Sequence, residues 1–219
     1  MKTMKRVLAL LLVCLTVFSA ASLHAFAESQ LYWGLQRGTL VISGQGWMPD
    51  YSGTEAPWRV GDRKGKNIQE IRVEDGVTHI GDQSFQYCEY AVTASIAQSV
   101  TSIGEAAFYN CKRLVATNLP RGLQEIDVSV FDHCSSLECI ELPDGVEVIR
   151  NAAFNCCSSL EWIYIPASVT VIEDSAFNAC TNLKTIYYGG SWSDWDRIDI
   201  AGWNKPLSYA TIYFNCNNS

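Results

Sequence analysis

The chain has 219 residues, enough for one domain or a short repeat array. It carries 23 Asp and Glu against 16 Lys and Arg, a net charge of −7. That acidic balance argues against nucleic acid and anionic membrane as partners.

At the start of the chain, Lys2, Lys5 and Arg6 precede an almost unbroken apolar run from Val7 to Ala20. Ala25-Phe26-Ala27 then has the small-x-small form of a leader cleavage site, so residues 1–27 read as a secretory signal peptide. The apolar run is too short to span a bilayer comfortably. Cys14 follows Val13 inside that run, which argues against lipid attachment at a cleavage point. Cleavage leaves 13 Lys and Arg against 23 acids, a net charge of −10. No later stretch reaches the roughly 18 apolar residues of a membrane span, so no membrane insertion is expected after cleavage. The expectation is a secreted or extracellular monomer, either released or held at a cell surface by non-covalent contacts.

Residues 28–67 read as a front cap. A hairpin is expected there, with Trp33 and Leu35 on one strand, Leu40 and Ile42 on the other and a turn at Gly38. A fixed period takes over at about residue 68. Phe85, Phe108, Phe131, Phe154 and Phe177 recur 23 residues apart, and Cys88, Cys111, Cys134, Cys157 and Cys180 keep the same step. Ile80, Ile103, Ile126, Ile149 and Ile172 form a third column, and Val77, Val100, Leu123, Val146 and Val169 a fourth. Each copy opens with alternating apolar and polar residues, as in Leu160-Glu-Trp-Ile163-Tyr-Ile165-Pro166, which predicts a short strand with one buried face. Pro120, Pro143 and Pro166 end that strand, because proline donates no ladder hydrogen bond. The V-x-x-I step predicts a second extended piece, and the A-A-F or S-A-F stretch a turn of helix at most. One such unit cannot bury its own apolar edge, whereas stacked units make a continuous core.

The pattern L-x-x-I-x-L-P-x-x-V-x-x-I-x-x-x-A-F-x-x-C resembles the BspA-like class of leucine-rich repeat over residues 68–190, in about five copies. Gly38 to Gly44 with Ala56-Pro57-Trp58, and Tyr187 to Ser191 with Pro206 to Ile212, resemble the caps of such arrays. The resemblance implies an α/β leucine-rich-repeat solenoid, β-dominated, with short strands on the concave face and short helical turns on the convex side. It also implies a bacterial surface or secreted protein, as most members of the class are, with some implicated in adhesion to host proteins or other cells.

Departures from the pattern predict where the core thins. Ala91 and Ala94 stand where other copies have Leu and Ile, and Thr117 takes a buried strand position, so the weak stretch should lie between about residues 90 and 120. Residues 191–219 read as the rear cap. One short helix is expected over Trp192 to Ile198, started by Ser191 or Ser193, with Pro206 after it and a last strand near Thr211 to Phe214. Trp47, Trp58, Trp195 and Trp203 are expected to seal the two ends as core residues.

No catalytic residues, metal ligands or cofactor are read from the chain. Parallel side chains in a ladder keep their Cβ atoms near the roughly 4.8 Å strand spacing, wider than a disulfide wants, so the cysteine column is expected as buried thiols. A linear column also cannot converge on a zinc ion. Cys139, Cys156 and Cys216 lie off the column and leave room for one intermolecular or tail disulfide. His79 and His133 occupy variable columns and read as surface residues. Asp194, Asp196 and Asp199 read as the solvated face of a short helix.

Two outward columns can be aligned on the concave face. One runs Glu70, Thr93, Ala116, Cys139, Trp162, Thr185 and Thr211, and the other Arg72, Ser95, Asn118, Glu141, Tyr164, Tyr187 and Tyr213. Trp162, Tyr164, Tyr187 and Tyr213, with Glu141 and Asn118, are therefore the candidate ligand-binding residues. Exposed Trp and Tyr concentrate binding energy and suit a protein or glycan ligand. Their alternative role is cross-strand packing in a structural, envelope-associated protein with no dedicated ligand.

Overall fold

The computed structural model describes residues 24–25, 30–52, 56–59 and 67–217. The leader falls outside the described residues except for His24–Ala25 (β1), which pairs antiparallel with β2 (Gln30–Gln36). β2 turns at Arg37-Gly38, both at positive φ, into β3 (Thr39–Trp47), forming the hairpin expected there. Two residues of positive φ make the tight turn whose twist suits antiparallel strands. β3 is long because it seeds two ladders. Its first half pairs with β4 (Glu70–Val73), and its end pairs with β5 (Val77–Ile80). Gly44 lies between the two halves at φ 114°, where a Cβ would collide with the Gln30 carbonyl.

Each following coil repeats a first strand and a second strand. These are β6 (Thr93–Ile96) and β7 (Ser102–Ile103), β8 (Ala116–Thr117) and β9 (Glu125–Ile126), and β10 (Cys139–Glu141) and β11 (Val148–Ile149). The series continues with β12 (Trp162–Ile165) and β13 (Val171–Ile172), then β14 (Thr185–Tyr188). The rear cap adds α1 (Trp192–Trp195), β15 (Asp199–Ile200), α2 (Lys205–Tyr209) and β16 (Thr211–Tyr213). First strands stack as β3-β4-β6-β8 and β10-β12-β14-β16, and second strands as β3-β5-β7 and β9-β11-β13-β15. The coil that holds β8 and β9 is therefore a joint. Its first strand belongs to the front ladder and its second strand to the rear one.

On the convex side a third set of bonds runs without interruption. The N–H groups of Phe85, Phe108, Phe131 and Phe154 donate to Ala107, Val130, Ala153 and Ala176 of the next coil, at 2.7–2.9 Å. The Phe rings stack at 5.2–5.6 Å, and Trp58 extends the stack at the front, 5.6 Å from Phe85. At the rear the Asn204 side chain accepts from the Phe177 N–H at 2.9 Å and closes the series. The backbone here is a run of turns with positive φ at Gln83, Tyr87, Ala106, Asn110 and their equivalents, instead of a helical turn.

The column cysteines have a more definite role than space filling. Cys111, Cys134, Cys157 and Cys180 each donate an S–H bond to the carbonyl of Phe85, Phe108, Phe131 and Phe154, at 3.1–3.3 Å. Burial pushes these thiols up, Cys180 to about 12, so they remain protonated donors. All eight described cysteines are free thiols, with Cys139, Cys156 and Cys216 partly exposed.

Two expectations about the caps need correction. Trp58 is buried and Trp195 packs on Tyr188 at 5.1 Å, but Trp47 and Trp203 are 47% and 70% exposed and seal nothing. The rear cap also has two helices where one was expected. Ser191 caps α1 and Asp194 returns the bond to the Ser191 N–H, a reciprocal box that stops after one turn. α2 then starts with Pro206 in its first turn, the position where a missing N–H costs least.

Candidate functional site

The register of the first ladder places the two outward columns as the repeat requires. Cys139 pairs with Trp162, Trp162 with Thr185 and Thr185 with Thr211, while Glu141, Tyr164, Tyr187 and Tyr213 align in the second column. Trp162 and Tyr187 meet edge-on at 5.8 Å, and Tyr187 stacks on Tyr213 at 5.7 Å with 22° between planes. Tyr187 and Tyr213 are 38% and 54% exposed, and Trp162 is partly buried. Tyr164 departs from the expectation. It is buried, and its hydroxyl donates to Asp144 at 3.2 Å, because the loop after β10 folds over it. Tyr164 is only 6% exposed, and it lines a cavity of about 260 Å³ with Asp144, Pro166 and Gly189.

Beside this aromatic strip, the interval between β8 and β10 opens a groove of about 720 Å³. Asn118, Glu141 and Trp162 line it, together with Arg121 and Asp144. The Asn118 amide replaces a backbone rung, accepting from the Ile96 N–H at 3.0 Å and donating to the Ile96 carbonyl at 2.6 Å. Its thiol, Cys139, is pushed up by burial and by Glu138 and Glu141, so it is not poised as a nucleophile. The groove thus presents stacking faces, an amide, a guanidinium and carboxylates, which is a recognition chemistry.

Arg121 and Asp144 were not singled out from sequence. The available signal was the pair of departures Ala94 and Thr117, which mark where the ladder parts. A second groove of about 770 Å³ lies on the other side of the joint coil, where β7 and β9 part, lined by His79, Asp82, Asp127 and Arg150. His79 there meets the Ser102 hydroxyl at 2.7 Å and is partly buried. On the convex side Asp132, His133 and Cys156 come together, a cluster the column-by-column reading did not anticipate.

A family model described as "BspA type Leucine rich repeat region" matches residues 63–194, in six copies, more than half of the chain. The chain belongs to this family. The BspA-type count of six exceeds the five regular copies visible as 23-residue steps. Among solved structures, a leucine rich cell surface protein from Faecalibacterium prausnitzii A2-165 is 31% identical with a TM-score of 0.61. That similarity covers 81% of this chain and 42% of the other, so this chain spans less than half the length of that relative. A leucine rich repeat protein of T. pallidum is 20% identical with a TM-score of 0.60, covering 81% of this chain and 86% of the other, and shares the fold. No curated protein matches the sequence. The chain is thus a leucine-rich repeat protein similar to a bacterial cell-surface protein, and no helix among the described residues is long and apolar enough to cross a membrane.

Proposed function

We propose that this BspA-type protein is an exported binding and adhesion module that takes a protein or glycan ligand on the rear half of its concave face. The observation that carries the reading is the Trp162–Tyr187–Tyr213 strip beside the Asn118–Glu141 groove. Aromatic rings held by a rigid ladder bury large area at little entropic cost, and flanking amide and charged groups fix orientation. Similarity to a cell-surface relative and the N-terminal leader pattern support a location where such a ligand would be met.

The test is a screen of the chain against glycan and matrix-protein arrays with Trp162→Ala/Tyr187→Ala alongside. A hit that the double variant loses by at least tenfold supports the reading. A hit that the variant keeps moves the site elsewhere, and no hit leaves cross-strand packing of the aromatics as their role.

A further inference from the structure

Asp132, His133 and Cys156 lie on the convex ridge, away from the concave face. Their ligand-type atoms, one carboxylate oxygen, one imidazole nitrogen and one thiol sulfur, all lie within 4.8 Å of one another. They converge although His133 and Cys156 occupy one column, because Asp132 comes from the neighbouring column of the same coil. The positions are held rigidly. His133 and Cys156 sit at φ 61° and 58°, and their N–H groups donate to Asn155 and Asn178 of the next coil at 2.8 and 2.9 Å.

The side chains are also pre-set. Asp132 is 7% exposed, and its Oδ1 meets His133 Nδ1 at 2.7 Å and accepts from the Asn155 amide at 2.9 Å. Asn178 donates to Asn155 at 3.0 Å and fixes that amide in turn. The Cys156 sulfur stands 3.6 Å from Asn155 Oδ1, and the Tyr109 ring packs against the imidazole at 5.6 Å. Groups behind the ligands that hold them by hydrogen bonds, as Asn155 and Asn178 hold the Asp132 carboxylate here, are a common feature of metal sites.

We propose that Asp132, His133 and Cys156 form a zinc-type site on the convex ridge. Oxygen, nitrogen and sulfur in one set suit a borderline-soft divalent ion and not a hard cation such as magnesium or calcium. Bond lengths of about 2.0–2.3 Å put tetrahedral ligands about 3.3–3.8 Å apart, so on binding the Asp132–His133 hydrogen bond at 2.7 Å opens while the wider separations, all within 4.8 Å, close. His133 and Cys156 are partly exposed, which gives the ion an entry path and leaves the fourth position to water. On binding, the Cys156 S–H bond breaks, the sulfur pair goes to the metal and the proton goes to solvent.

The test is a cobalt titration of the full chain under reducing conditions, read by the thiolate-to-cobalt charge-transfer band and bleached with zinc. The expected result is a one-to-one band that zinc removes, that Cys156→Ser abolishes, and that Cys139→Ser and Cys216→Ser keep. His133→Ala should weaken cobalt affinity at least tenfold while circular dichroism stays unchanged. A missing band, a band that survives Cys156→Ser, or one that zinc leaves in place would overturn the proposal.

Discussion

The front and rear halves of this solenoid use the same repeat to different ends. In front of the joint coil the outward columns are polar and carry no aromatic ring (Glu70, Arg72, Thr93 and Ser95), and the buried strand column weakens from Ile71 to Ala94 to Thr117. Behind it the same column is Ile140, Ile163 and Ile186, and the outward rungs become aromatic. Both strand ladders part at the joint, one on each side of the coil, and a groove opens at each parting. What crosses the joint unbroken is the convex spine of stacked Phe rings, Phe N–H bonds and Cys S–H bonds. Strand pairing therefore organises each half, while apolar stacking holds the halves together.

The most damaging test of that division is Phe131→Ala. Phe131 belongs to the joint coil, stacks on Phe108 at 5.5 Å and on Phe154 at 5.6 Å, and is fully buried. Its truncation should cost about 3–5 kcal/mol, the usual penalty for an unfilled ring site, and lower Tm accordingly. Unchanged melting would mean that the spine does not carry the joint. Next in size is Asn118→Ala. It removes both bonds to Ile96 and leaves a partly buried N–H without its acceptor, so a loss of about 1–2 kcal/mol is expected in urea unfolding.

Thr117→Ile acts in the opposite direction. It restores the apolar residue of the other coils at a half-buried position, and should raise stability by about 1 kcal/mol. If the missing methyls are what parts β8 from β10, amide exchange at Ile140 and Glu141 should also slow. Exchange that stays as fast would assign the parting to the backbone of the joint and not to this side chain.

These contrasts were partly legible in the sequence. A buried position repeated in every coil leaves the same residue type every 23 steps, so the Phe, Cys and Ile columns and the pairing of Trp162, Thr185 and Thr211 could be read directly. The weak stretch was legible for the same reason, through Ala94 and Thr117. The features that escaped depend on a neighbour from another column or loop. Tyr164 is buried with its hydroxyl on Asp144, and Trp203, at φ 59° in the turn before the second helix, is 70% exposed. Asp132, His133 and Cys156 each look like a variable, solvated position when taken alone, and only adjacency across two coils gathers them.

The smallest expected effect sharpens the comparison on the second ladder. Arg150 bridges three rear coils, meeting Glu125 Oε2 at 2.6 Å and Glu173 Oε1 at 2.9 Å. The front half bridges its coils at this ladder with His79, which meets Asp50 at 3.8 Å and the Ser102 hydroxyl at 2.7 Å, and has no arginine between two carboxylates among the described residues. Arg150 is 39% exposed, so solvent screens both pairs and Arg150→Ala should cost less than about 1 kcal/mol. The loss should shrink further at high salt, where exposed pairs are screened within a few ångströms. A larger, salt-independent loss would show that the rear ladder rests on this arginine as the front rests on β3, and that the two halves differ in their electrostatics more than in their packing.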